Sequence, residues 1–264
     1  MSHCHCSRCR KTHGTGFATF VMAQADAFHL VRGRELIVRY ESSPGFFRPF
    51  CGRCGSAVPD GEPWQGLVAI PAGLFDDDPG ARPLAHIFVE SKAPWVEIQG
   101  PLPAFDRYPS GVDTPALADL PVAAAAGGPP GGSCLCGGSA YVIEGPPMRC
   151  WNCHCSRCRK ARAAAHASNL FVNADELRFR RGAELLVSYK LPGARFFTQV
   201  FCRACGAPMP RIDRERGLAI VPMGSLDGDP GMRPQRHIFA ASKAPWYDIP
   251  DELPQDAEYP PPAM

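Results

Sequence analysis

Cys4-His5-Cys6-Ser7-Arg8-Cys9-Arg10-Lys11 lies near the start of the chain, and Cys153-His154-Cys155-Ser156-Arg157-Cys158-Arg159-Lys160 repeats it letter for letter 149 residues later. Three cysteines within six residues let one tight turn aim three thiols at a single point, the spacing of a metal site. The repetition spreads outward. Phe50-Cys51-Gly52-Arg53-Cys54-Gly55 returns as Phe201-Cys202-Arg203-Ala204-Cys205-Gly206. Asp78-Pro79-Gly80-Ala81-Arg82-Pro83 returns as Asp229-Pro230-Gly231-Met232-Arg233-Pro234, and His86-Ile87-Phe88 with Ser91-Lys92-Ala93-Pro94-Trp95 returns as His237-Ile238-Phe239 with Ser242-Lys243-Ala244-Pro245-Trp246. The offset drifts only from 149 to 151 residues, so the chain is a tandem duplication with one small insertion. Pro109 to Gly132 is rich in Pro, Ala and Gly and reads as a flexible linker. The expected division is a first module over 1–108, a linker over 109–132 and a second module over 133–264.

Composition sets the class. Of 264 residues 45% are apolar, enough for packed cores, while Gly (26) and Pro (29) make up about a fifth of the chain against a usual share of about 12%. Short strands and many turns are expected rather than long helices. Tyr141–Ile143, Leu185–Tyr189, Leu218–Val221 and His237–Phe239 read as strands, and only the Ala- and Arg-rich run Arg159–Ala167 reads as helix. The fold class expected is mainly β: two small β-sheet domains stapled by metal, with few short helices. A net charge of +2 argues against a broad nucleic-acid surface. No apolar run approaches the roughly 18 residues that span a bilayer, and Met1-Ser2-His3-Cys4 is not a signal peptide, so a cytoplasmic, membrane-free protein is expected.

Thirteen cysteines in such a chain favour metal over disulfides. In the second module seven of them divide into four plus three. Cys134, Cys136, Cys202 and Cys205 suit a closed structural zinc site, and the glycines after each pair permit tight turns. Cys153, Cys155 and Cys158 would hold a second zinc with one position open; the competing reading closes that set with His154. Cys150 is left over. The first module has Cys4, Cys6, Cys9, Cys51 and Cys54 as candidate ligands but no C-x-C-G-G upstream of them. That copy is degenerate, or its true start lies upstream, or Cys51 and Cys54 borrow ligands from elsewhere.

The order C-x-C-G-G, C-x-C-S-x-C-R-K, C-x-x-C-G, H-I-F and S-K-A-P-W resembles the glutathione-dependent formaldehyde-activating enzyme family, which also includes the centromere protein V domain. The resemblance covers nearly all of the second module and most of the first. It implies a mainly β zinc fold shared with a Rab-binding exchange and chaperone factor. It implies carbon–sulfur lyase chemistry of the S-(hydroxymethyl)glutathione synthase type, joining formaldehyde to glutathione. By position it places the family's structural zinc on Cys134, Cys136, Cys202 and Cys205 and its catalytic zinc on Cys153, Cys155 and Cys158.

Three thiolates on Zn²⁺ make a poor Lewis acid, better suited to holding a fourth thiolate than to ionising water. Glutathione, or another small thiol, would take the open position and attack a small aldehyde. Its two carboxylates call for cations, and Arg157, Arg159, Lys160 and Lys243 are the candidates. Trp246 and Phe239 read as core and His237 as a hydrogen-bonded structural histidine. The alternative is a non-catalytic zinc-stabilised module that binds protein or nucleic acid, with Arg8, Arg10, Lys11, Arg157, Arg159 and Lys160 on phosphates.

Overall fold

The computed structural model describes residues 1–112 and 129–260. The first half runs β1 (Ser2–Cys4), α1 (Ser7–His13), β2 (Ala18–Gln24), β3 (Ile37–Ser43), β4 (Phe46–Cys51), β5 (Leu67–Pro71), β6 (His86–Ile87) and β7 (Ala104–Phe105). The second runs β8 (Gly131–Ser133), β9 (Ala140–Ile143), β10 (Arg149–Cys153), α2 (Ser156–Arg162), β11 (Ala167–Asn173), β12 (Leu177–Arg181), β13 (Leu186–Lys190), β14 (Thr198–Cys202), β15 (Arg211–Asp213), β16 (Leu218–Pro222) and β17 (His237–Ile238). The expected mainly β class holds, with two α-helices of seven residues each among the described residues. One five-stranded sheet has the order β5-β2-β1-β6-β7 and the other β15-β16-β11-β10-β17. Their shared part is the same ribbon: Cys4 faces Ala18 as Cys153 faces Ala167, and the H-I strands β6 and β17 add in parallel to β1 and β10. Two-stranded sheets β3-β4 and β13-β14 carry the C-x-x-C-G turns at their ends.

Each helix starts where a thiol caps it. The Cys9 backbone N–H donates to Cys6 Sγ and that of Cys158 to Cys155 Sγ, both at 3.4 Å, so a sulfur fills the role usually taken by Ser or Asp. No acidic residue stands in either first turn. The helix expected over Arg159–Ala167 is displaced: it begins at Ser156 and ends at Arg162, Ala163 turns left-handed at φ 50°, and Ala167 already belongs to β11. Alanine composition there reflects close packing rather than helix propensity. Of the linker expected over 109–132, residues 113–128 lie outside the described residues, while Gly131 and Gly132 pair in β8 with Val142 and Tyr141.

The halves differ by one layer. In the second, the sheet β12-β9-β8 covers β11 and β16, leaving Leu170, Val172 and Val221 with no exposure. Among the described residues of the first half nothing corresponds, and Val21, Ala23 and Ile70 at the matching positions are only half-buried.

The two halves exchange packing across an approximate twofold axis. Trp95 and Val96 of the first S-K-A-P-W segment enter the core built by Leu135, Leu170 and Met223. Trp246 and Tyr247 of the second pack with Ala72, Phe17 and Val21. Gly73 lies on the end of α2, where a Cβ would stand 2.1 Å from Ala164 N, and Gly224 lies on the end of α1, 2.4 Å from Arg10 O and Thr15 N. Lys11 pairs with Asp227 at 2.5 Å, and the equivalent Lys160 pairs with the equivalent Asp76. Among the described residues no helix is long and apolar enough to cross a membrane.

Candidate metal centres

Cys134 and Cys136 sit in the turn between β8 and β9, where Gly137 N–H bonds back to Cys134 O at 3.0 Å and Ser139 N–H donates to Cys134 Sγ at 3.2 Å. Cys202 ends β14, and the next turn closes through Gly206 N–H to Cys202 O at 2.9 Å and Cys202 N–H to Ala207 O at 3.0 Å. Gly206 takes φ 73°, a value that favours glycine. These turns bring all four Sγ atoms within 4.8 Å of one another, with 3.4 Å between Cys134 and Cys136. The set joins residues 66 apart in sequence, Cys136 to Cys202 at 3.9 Å.

Cys153, Cys155 and Cys158 form a second set within the same 4.8 Å limit, and Cys4, Cys6 and Cys9 a third. In both, the first cysteine ends a strand, the second caps the helix and the third lies one turn in. His154 turns away from its flanking cysteines: its Nε2 lies 2.7 Å from His237 Nδ1, and His5 meets His86 in the same way at 2.9 Å. His237 is held in turn by Asp251 at 3.0 Å. Within each set, hydrogen bonds from neighbouring thiols favour one thiolate and disfavour the next. Cys155 is pushed down to about 3, chiefly by Cys153 and Cys158, while Cys158 is raised well above the ordinary thiol range by the same two neighbours and burial. Full ionisation of three crowded sulfurs requires a cation to share the charge, and sulfur donors select a soft or borderline ion. The donor sets thus fit a metal ion.

Cys51 and Cys54 repeat the knuckle of Cys202 and Cys205, with Gly55 N–H to Cys51 O at 2.8 Å and Cys51 N–H to Ser56 O at 2.9 Å. No third metal-ligating side chain joins them among the described residues. Cys150 is fully buried, and burial pushes its thiol up.

The cations expected at a substrate rim have varied partners. Arg157 is exposed. Lys160 is paired with Asp76 of the other half, and Lys243 donates to Tyr247 O at 3.0 Å. Arg159 is 7% exposed, with its Nε and Nη1 unpartnered. Three features go beyond what the motifs signal. Arg48 Nη1 donates to Cys9 Sγ at 3.4 Å, and the matching residue of the second half is Gln199, which bonds Ala161 O instead. Phe88 and Phe239 hold left-handed φ of 58° and 57° and stack edge-on against Tyr108 and Tyr259, with centroids 4.9 and 4.8 Å apart. Tyr108 is pushed up to about 12, first by burial and then by the charge of Cys4, Cys9 and Cys6; Tyr259 is raised by burial and by Cys153, Cys158 and Cys155. Finally, a cavity of about 510 Å³ straddles the boundary between halves, lined by matching positions such as His3 and Asn152, Phe17 and His166, and Arg82 and Arg233.

A β-rich chain that twice folds a C-x-C-x-x-C turn against an H-I strand defines a class of cysteine-cluster proteins with a candidate metal centre in each half. The sequence profile of the glutathione-dependent formaldehyde-activating enzyme family matches residues 1–91 and 129–242, and the chain belongs to that family. A Halomonas elongata protein, named provisionally as a glutathione-dependent formaldehyde-activating enzyme, is 38% identical over 108 residues, which is 38% of this chain and 68% of that protein. A crystal structure of a Rhodobacter sphaeroides protein is 28% identical, covering 39% of this chain and 97% of the other with a TM-score of 0.32.

Proposed function

We propose that the chain is a zinc-dependent carbon–sulfur lyase of the S-(hydroxymethyl)glutathione synthase type, adding a thiol to formaldehyde or a related small aldehyde. The observation that carries the proposal is the open three-thiol set at the head of α2, in a chain of this family. Cys153, Cys155 and Cys158 would hold the catalytic ion, and Cys4, Cys6 and Cys9 its counterpart. Cys134, Cys136, Cys202 and Cys205 would hold a structural one that ties the β8–β9 turn to the β13–β14 hairpin. Zinc in the open set would lower the pKa of a fourth, substrate sulfur and fix its position.

The residues around the set supply the rest. Phe239 and Tyr259 pack edge to face in the second half, with Tyr259 close enough to feel the charge of Cys153, Cys158 and Cys155, and Phe88 and Tyr108 match them in the first. Tyrosine keeps its proton near neutrality, so these phenols can donate a hydrogen bond to the aldehyde oxygen as negative charge grows on it. The thiol sulfur forms a bond to the carbonyl carbon, the C=O π pair moves to oxygen, and the thiol proton ends on that oxygen as the hydroxyl of the hemithioacetal. Arg157 and Lys243 are the cations we assign to the glutathione carboxylates.

Exchange spectroscopy with ¹³C-formaldehyde and glutathione tests this, because the adduct forms without a catalyst and only a rate can separate enzyme from carrier. Zinc-loaded protein should raise the exchange rate in proportion to its concentration, and Cys155→Ser should remove the second half's share. An unchanged rate at any protein concentration would sink the lyase reading.

A further inference from the structure

We propose that the outer face of the sheet β15-β16-β11-β10-β17 is the recognition surface for the thiol substrate, with Arg149, Arg211 and Arg216 binding a carboxylate remote from the sulfur. The inference rests on the lyase reading for the identity of the ligand and adds the residues that select it.

Strand register places the parts. Side chains alternate along β10, so Arg149, Trp151 and Cys153 share one face, while Cys150 packs into the core on the other. Cys153 belongs to the open three-thiol set, and Arg149 lies four residues away, about 13 Å along the strand. Neighbouring strands extend the same rung: Arg149 pairs with Phe171, Phe171 with Ile220, and Ile220 with Arg211. A row from β10 to β15 therefore crosses the face at one end, with the thiols at the other. All four of its residues are half-buried.

The arginines there are fixed by their surroundings and short of counter-ions. Arg149 lays its guanidinium over the rings of Trp151 and Phe171, 4.8 and 4.6 Å from their centroids. Trp151 stands between Arg149 and Cys153 on this face, so the stack carries the charge toward the open set. Arg216 lies over Phe196 at 4.8 Å, and Arg211 donates to Phe196 O at 2.6 Å. Asp213 serves both, 3.1 Å from Arg211 and 3.9 Å from Arg216, while Arg149 has no carboxylate partner among the described residues. Three positive charges against one negative leave a local excess of about +2. Burial, then the like charge of Arg216, lowers Arg149, as for a cation without a counter-ion. Tyr259 feels Cys153, Cys158 and Cys155 as well as Arg216, so it lies in the field of both ends.

The charge belongs to this half alone. At the positions of Phe171, Ile220, Arg211 and Arg216 the first half has Met22, Ala69, Asp60 and Gln65, and Asp60 is paired with Arg39 at 2.7 Å. A peptide thiol with a carboxylate on each arm, as in glutathione, fits the second face. Its sulfur would meet the open set, one carboxylate Arg157 and Lys243, and the other the row, where guanidinium forks match carboxylate geometry. A thiol without carboxylates makes no use of the row.

S-methylglutathione keeps both carboxylates and has no thiol to react, so its calorimetric titration into the zinc-loaded full chain reads the surface apart from the chemistry. One molecule per chain should bind. Arg149→Met, which keeps an apolar stem on Trp151 and Phe171, and Arg216→Gln should each weaken binding at least about tenfold, with an unchanged circular dichroism spectrum. The dimethyl ester of the same probe should bind the wild type more weakly by about the same factor or more. In formaldehyde exchange, Arg149→Met should raise KM for glutathione and leave the rate with N-acetylcysteamine, a thiol without carboxylates, unchanged. Arginine-dependent binding without any catalysis sinks the lyase reading and leaves the surface standing. A wild type that does not bind S-methylglutathione, or binds it at two equal sites, overturns the proposal. So does equal affinity in the wild type and Arg216→Gln, or for the probe and its ester.

Discussion

Gly73→Ala and Gly224→Ala, made separately, read the contact between the two halves through the sign of a small number. Neither glycine has positive φ, so alanine meets no backbone strain at either position. By itself the substitution would stabilise by about 0.4–1 kcal/mol, because alanine restricts the unfolded chain more than glycine does. The structure opposes that gain. The added methyl at 224 would lie 2.4 Å from Arg10 O and Thr15 N and 2.5 Å from Gly14 C, and at 73 it would lie 2.1 Å from Ala164 N. These are backbone atoms at helix ends, so relief needs movement of one half against the other rather than a rotamer change. Overpacking costs about 1–3 kcal/mol, and contacts this short against backbone atoms take the upper part of that range, about 2–3 kcal/mol, so about 1–2.5 kcal/mol of loss remains after the chain-entropy gain. For a chain of this length that is a fall in Tm of about 2–10 °C. Differential scanning calorimetry of the metal-loaded variants measures it. Unchanged or raised melting in both would refute the reciprocal packing of Gly73 and Gly224.

Lys11→Met should lower stability in urea by about 2 kcal/mol, because it strands the partly buried Asp227, whereas Lys160→Met at the equivalent but solvent-exposed pair should change it by about 0.5 kcal/mol or less. Cys202→Ser should lower Tm by about 10 °C or more, because it opens the set that joins distant strands; Cys155→Ser should lose one metal equivalent with a much smaller fall. Burial pushes His13 down to about 4, so below about pH 6.5 the unfolded chain takes up a proton that the folded chain refuses. Its contribution is complete above that pH and is lost on acidification, by about 2 kcal/mol between pH 6.5 and 5. Urea titrations at both pH values should show the wild type losing that much more than His13→Gln, and equal losses would exclude His13 as the cause.

The duplication and the grouping of the cysteines are readable because their information is local or repeated. C-x-C-x-x-C fixes three thiols within one turn, and Cys134 with Cys202 could be matched by counting donors. The short strands β6 and β17 are likewise visible in the repeated H-I-F. Less could be read where residues answer to the other half of the molecule. Lys11 and Lys160 each pair with an aspartate across the boundary, a partner that no motif signals. Ala163 to Ala165 looked like helix, but they are small because Gly73 lies on them. Tyr108 and Tyr259 lie about a hundred residues from the cysteines whose charge they feel, and no spacing rule connects them. The strands β8 and β15, three residues each, carry too few residues to show a period of two.

The cavity on the approximate axis holds one more consequence. Had the same two lobes been separate, identical subunits, any change at its wall would have been written twice, facing its own image. Joined in one chain, the lobes drift independently: the wall has His3 where its counterpart has Asn152, and Phe17 where its counterpart has His166. A ligand of no symmetry can then be met by a surface of no symmetry, which a pair of equal subunits sharing one axis is forbidden to build.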